Sequence, residues 1–383
     1  MDVASPVDKA ADIANKIIRP RLQTDIPKWV ANNARKLVLA ERNGTFESSY
    51  TKAPQLVTDA TSLNPNSIGH FSWSKEGQDN RFESVIVAYD AQIKGFLHGC
   101  RLVIGLDGAH LNGKLGGVML SAVGIDGQNG VFPICVMICM SETEENWFMM
   151  LKELRKRIPD MHGLTFISDR MKGILESTFI QEFLNQGIQK SKTHTPSLAG
   201  CKGIQVSSLG ESFNNMALKF RDKPLTQLID MYTHLVMVLF SNRRKLAATW
   251  QAGDLVPAGK DIIKVMCDLR GNYECDPSIE RKVYEVTNKA TSKVFVVRVE
   301  EKSCTCRQWY CSKYYTVDYY RTTYSWSITP LGDIDEYPNK TGIKIIHPHR
   351  LRDKGRPCVK RKKSWSSSWI QPQEERSENG VFC

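Results

Sequence analysis

The sequence predicts an α/β fold, a sheet core flanked by helices, and three observations carry the prediction. Three β-rich runs, RLVIGLD, GVMLSAVGID and VFPICVMICM, follow one another from Arg101, separated by Gly, Asn and Asp, the punctuation of antiparallel strands joined by tight turns. The next segment, EENWFMMLKELRKRI (Glu144 to Ile158), puts Trp147, Met150, Leu151 and Leu154 on one helical face and its charges on the other. LTFISDR is then a further β-run ending in a carboxylate, with helical patterns after it. The order is three strands, a helix, a strand and a helix.

Ahead of this core, residues 1–100 read as a helical and linker region acting as an adaptor. AADIANKIIRPRLQTDIPKWVANNARKLVLAERNG has apolar positions three and four apart, broken by Pro20 and Pro27 and closed by Gly44. TKAPQLVTDATSLNPNSIGHFSW has the composition of a connector ending in a strand, and FESVIVAYDAQIKGFLHGC returns to helical spacing. The core spans 101–255. Its last part, from Glu211 to Trp250, is strongly helical except at Pro224, which divides it into two helices. Residues 256–340 hold a hairpin, VYEVTNKATSKVFVVRVEEKSCTC, leading into a Cys pair, and the basic, then Ser-rich stretch 341–383 is expected to be disordered.

Composition bounds the function. A chain of 383 residues has room for two or three domains, and its 41% hydrophobic content excludes a wholly disordered protein. The formal charge of +11 favours a polyanionic partner. No apolar run follows the first basic residues and no stretch reaches the ~18 apolar residues of a membrane span, so a soluble intracellular protein with no membrane partner is expected. Eleven cysteines, an odd number, fit reduced thiols better than a disulfide framework.

Three acids can meet in this arrangement. Asp107 closes the first strand, Asp169 closes the fourth, and Glu211 opens a helix. If the two strands are neighbours, the two Asp carboxylates repel unless a cation lies between them. Three hard oxygen ligands suit Mg²⁺ or Mn²⁺, and a pair of such ions about 4 Å apart activates water or a 3′-hydroxyl in phosphodiester chemistry. The alternative for each is ordinary: Asp107-Gly108 as a turn, Ser168-Asp169 as a strand exit or helix cap, Glu211 as a partner of the helix dipole.

Taken together and in order, LDGAHLNGKLGGVMLSAVGIDGQNGVFPICVMICMSETEENWFMMLKEL, TFISDRMKGI and ESFNNMALKFRDKPLTQLID resemble the core of transposases from Mutator-like elements. The resemblance implies an RNase H-like mixed sheet flanked by helices, with a DDE triad of Asp107, Asp169 and Glu211 acting on DNA through two divalent metals. His110 and Arg170 flank the motifs, with a structural role or a place near the phosphate both open. Asp169 and Glu211 stand 42 positions apart (211 − 169), a shorter segment than the family has, with His194 and Cys201 in no ligand spacing. VFVVRVEEKSCTC resembles the start of the family's SWIM-type zinc finger, which implies Cys304 and Cys306 as Zn²⁺ ligands. No Cys-x-His follows, and Cys311, His347 and His349 do not complete the pattern.

Between Lys344 and Lys363 the chain carries nine Lys or Arg against one Asp. The Gly-Arg-Pro within it resembles an AT-hook, which implies Arg356 in a narrow minor groove and Lys360, Arg361, Lys362 and Lys363 on phosphates. A solvated tail and a nuclear localisation signal are the other readings of the same residues. The expectation is a transposase-derived nuclear DNA-binding protein with impaired cleavage, able to form homo-oligomers. An active transposase and a stand-alone RNase H-like nuclease are the alternatives.

Overall fold

The computed structural model describes residues 27, 29, 30, 33, 45–159, 161, 163–168, 189–190, 207–301, 303–305, 312–332 and 342–349. These fall into two compact units, one from the described residues of Met1–Pro196, Gly203–Gly259 and Lys313–Leu351, the other from those of Lys260–Ser312.

The first unit is built on a mixed sheet. Helix α1 (Phe46–Leu63) leads into strands β1 (Ile68–Glu76) and β2 (Asp79–Ala88), helix α2 (Asp90–Gly99), strands β3 (Val103–His110), β4 (Val118–Ile125) and β5 (Val131–Cys139), then helix α3 (Glu144–Arg155), β6 (Thr165–Ile167) and β7 (Gln189–Lys190). Helices α4 (Ser207–Ala217) and α5 (Leu225–Ala248) follow, and α6 begins at Pro257. The strand order is β1-β2-β5-β4-β3-β6-β7. Neighbours from β1 to β3 are antiparallel, whereas β6 runs parallel to β3 and β7 parallel to β6.

Every residue of β4 and β5 is buried, because both faces of these central strands are covered, which is why they read as continuous apolar runs. Helix α3 buries Trp147, Met150, Leu151 and Leu154, the stripe its sequence spacing specifies. Pro224 caps α5, separating it from α4 as expected.

Three expectations are corrected. The run Glu83 to Ala88 is strand rather than helix: β2 lies between β1 and β5, and a fully buried strand has the same unbroken apolar pattern as a buried helix. Residues 68–88 are thus part of the central sheet, not an adaptor in front of it. The connector-like TKAPQLVTDATSL lies in α1. Thr45 caps that helix reciprocally with Ser48, and Tyr50, Ala53, Leu56, Val57 and Ala60 form a buried face that tolerates Pro54 within it.

The basic tail is ordered at its start. Ile345–Ile346 form β12, parallel to β2 at Asn80 and Arg81, with Ile345 fully buried. The apolar Ile345-Ile346 pair is the reason, since it adds to the sheet where β5 stops. Arg81 also donates to the carbonyl of His347 at 2.7 Å.

Among the described residues, the chain leaves and re-enters this unit at one place. The amide of Val256 donates to the carbonyl of Tyr315 at 2.8 Å, and that of Val317 to the carbonyl of Asp254 at 2.9 Å. Helix α7 (Val317–Thr323) then packs on the core, and Tyr324 completes a buried cluster. Arg243 of α5 donates to Asp126 at 3.0 Å and to the carbonyl of Val131 at 2.9 Å, and the Tyr324 hydroxyl donates to Asp126 at 2.7 Å.

The second unit contains an antiparallel four-stranded sheet of β8 (Tyr273–Ile279), β9 (Val283–Asn288), β10 (Val294–Arg298) and β11 (Ser303–Cys304), in the order β11-β10-β9-β8. The expected hairpin is β9 with β10. Strand β8 carries Pro277 and is an edge strand, where a missing amide donor is tolerated.

Candidate functional site

Asp107 lies inside β3, not after it. It is paired with Ser121 of β4, and Gly108 is paired with Leu120. The turn reading of Asp-Gly is therefore replaced by a strand position. A Cβ on Gly108 would stand 2.9 Å from the carboxyl carbon of Glu142, on the face opposite Asp107. His110 shares that opposite face by alternation and is exposed, which removes it from the surroundings of Asp107.

The face bearing Asp107 is covered by α4. Leu209, Phe213 and Ala217, at four-residue intervals, are buried. One position further round, Gly210 and Asn214 meet Asp107 itself. Asn214 Nδ2 donates to Asp107 Oδ2 at 2.7 Å, while the Gly108 amide donates to Oδ1 at 2.9 Å. A Cβ on Gly210 would stand 2.6 Å from both Cβ and Cγ of Asp107, so the helix lies this close only because residue 210 is glycine.

Glu211 is the next residue of the same helix. It lies in the second turn, since α4 starts at Ser207, so the dipole-partner reading does not apply. Its side chain is exposed, and its carboxylate makes no hydrogen bond or ion pair among the described residues.

Strands β3 and β6 are parallel neighbours with Gly105 opposite Ile167. Asp107 stands two residues beyond Gly105, and Asp169, two residues beyond Ile167 in sequence, lies outside the described residues, as does Arg170. Thus β3, which carries Asp107, is adjacent to β6, which ends two residues before Asp169 in sequence, and the helix that carries Glu211 packs on β3.

Whether these groups suit a divalent cation turns on one atom. Asn214 Oδ1 is buried beside Asp107 with no hydrogen-bond donor among the described residues, an oxygen left for a further partner. Asp107 and Asn214 supply hard oxygen atoms of the kind Mg²⁺ and Mn²⁺ take, and Glu211 is within the same helix turn. Among the described residues, no group of three or more His, Cys, Asp or Glu is arranged to hold a metal. Sequence reasoning missed Asn214 and Gly210. Their four-residue spacing beside the Leu209, Phe213, Ala217 stripe was the available signal.

The other expected sites are reached only in part. Cys304 ends β11 and is half-buried, while Cys306 and Cys311 lie outside the described residues, as do His194 and Cys201. Arg356, Lys360, Arg361, Lys362 and Lys363 lie outside them too. His349 is placed on the first unit, with its Nε2 3.2 Å from Glu76. No described helix is long and apolar enough to cross a membrane.

No curated protein matches the chain significantly. A family model does match, from the first residue of β3 to just before β7, a span that includes Asp107 and Asp169 and stops short of Glu211 and Asn214. Residues 103–186 match the MULE transposase domain.

Proposed function

We propose that this protein is a transposase-derived DNA-binding protein whose core is RNase H-like and whose carboxylate site is built on Asp107. The observation that carries the reading is the position of Asp107. It sits in mid-strand on β3, beside the parallel strand β6 that leads to Asp169, and under the helix that bears Glu211. The order β5-β4-β3-β6-β7, with its antiparallel and then parallel strands, supports the RNase H-like core. The charge of +11 supports a polyanionic partner.

Asp107, Asp169 and Glu211 would hold Mg²⁺ or Mn²⁺, which when bound neutralises charge on a phosphodiester and activates a water or 3′-hydroxyl. The chain's own part is to fix Asp107. The Gly108 and Asn214 N–H groups take one carboxylate oxygen each, and Ser121 Oγ holds the carbonyl of the same residue at 3.1 Å. Impaired cleavage is favoured by a specific feature: Gly210 and Asn214, rather than Glu211, occupy the positions against Asp107. An AT-hook at Arg356 with Lys360 to Lys363, homo-oligomers and a nuclear location complete the proposal.

The test is binding and nicking of supercoiled DNA with Mg²⁺ or Mn²⁺, using Asp107→Asn as control. Salt-dependent binding is expected, with nicking weak and abolished by the substitution. Absence of DNA binding at low salt overturns the proposal. Strong nicking that depends on Asp107 replaces impairment by full activity, and nicking indifferent to Asp107 removes the assigned site.

A further inference from the structure

The orphaned oxygen of Asn214 needs a partner, and its surroundings narrow what that partner is. The amide group belongs to a helix face that is otherwise apolar, with Leu209, Phe213 and Ala217 buried on it. Its Nδ2 is engaged by Asp107 Oδ2 at 2.7 Å, and its Oδ1 is shielded from solvent without a donor among the described residues. Exchanging the oxygen and nitrogen of the amide does not relieve this. It would bring Oδ1 against Oδ2 of Asp107, two acceptors in contact, which only a positive group reconciles. In either orientation the amide oxygen is left without a donor among the described residues.

We propose that Asn214 is a ligand in the Asp107 site: its Oδ1 donates a lone pair to the divalent cation that Asp107 binds, beside the acids expected from sequence. The proposal rests on the reading of Asp107 as a metal-binding carboxylate. Amide oxygens are regular ligands of hard cations, and Asn214 is pre-positioned for the task by the helix contact at Gly210. The role differs from that of Glu211. An amide adds no charge, so it can lie against the Asp107 carboxylate before the cation arrives, whereas a second carboxylate in that place would be repelled.

The experiment is Mn²⁺ titration of the full-length protein, with free Mn²⁺ read from its electron paramagnetic resonance signal and a melting curve taken for each variant. Wild type is expected to show a Mn²⁺ site that Asp107→Asn removes. Asn214→Leu, close in shape but without the oxygen, is expected to weaken that site about 10-fold or more. Asn214→Asp keeps an oxygen ligand: it should bind Mn²⁺ at least as tightly as wild type, and melt lower than wild type without the ion and recover with it. Wild-type affinity in a folded Asn214→Leu protein overturns the proposal and leaves the Asp107 site standing. Should Asn214→Leu not fold, Mn²⁺ binding lost in Asn214→Asp overturns it. No Asp107-dependent Mn²⁺ binding in wild type overturns the metal reading of Asp107 and this proposal with it.

Discussion

Substituting Gly210 by alanine tests how closely α4 lies on Asp107. The added Cβ would stand 2.6 Å from Cβ and Cγ of Asp107, and carbon contacts settle at about 3.5 Å. Helix and strand must therefore separate by about 1 Å, or the Asp107 side chain must turn and give up its bond to Asn214. Overpacking of this kind costs about 1–3 kcal/mol. The same change removes a glycine from a helix interior, worth about 1 kcal/mol in the opposite direction. The net expectation is a loss of about 0–2 kcal/mol in the wild-type background.

In an Asp107→Gly background the obstruction is absent, and the sign reverses: Gly210→Ala should stabilise by about 1 kcal/mol. The four proteins form a double-mutant cycle with a coupling of about 1–3 kcal/mol. Urea unfolding followed by circular dichroism measures it. Stabilisation by Gly210→Ala to the same extent in both backgrounds refutes the close approach, and with it the placement of Asn214 against Asp107.

Arg243→Met leaves the buried carboxylate of Asp126, whose side chain is 1% exposed, without its cation and should cost about 3–5 kcal/mol in unfolding free energy. Tyr324→Phe should cost about 1–3 kcal/mol, and a larger loss from Tyr324→Phe than from Arg243→Met contradicts the cluster. Burial pushes the Cys139 thiol up to about 12 and raises Cys100 and Cys135 as well, so these three stay protonated at pH 8. Iodoacetamide followed by mass spectrometry should therefore modify the exposed Cys267 and Cys275 in preference to the three buried thiols. Equal labelling of Cys135 and Cys275 in the folded protein refutes this. Deleting residues 351 to 363, which spares β12, should weaken DNA binding and lower its log–log salt slope by about 0.9 for each phosphate the segment neutralises. An unchanged slope removes the tail from the interface.

How much of this was legible follows from the physics of each segment. Strands β3 to β5 carry β-branched runs bounded by turn residues, and α3 carries a periodic apolar stripe, so local pattern and final structure agree there. Strand β2 was not legible as a strand, because Val85, Ile86 and Val87 are buried on both sides and their unbroken run fits either element. Ile345 looked like part of a disordered tail because its burial depends on β2, more than 250 positions earlier in the chain. At the site, Asp107 was legible as an acid at a strand, and Glu211 as an acid on a helix. The Asn214 bond was not, since a polar residue on a helix shows nothing of the strand it will meet.

The paired hydrogen bonds between Asp254, Val256, Tyr315 and Val317 tie the chain where it departs from the first unit and where it returns. A segment held at both ends in this way is an insertion whose length the host hardly feels, since closure entropy grows only slowly with loop size. Sequence between Lys260 and Ser312 can shorten, lengthen or lose its cysteines while the sheet around Asp107 keeps its shape. A change among the cysteines of that segment is therefore expected to leave the packing around Asp107 unaltered.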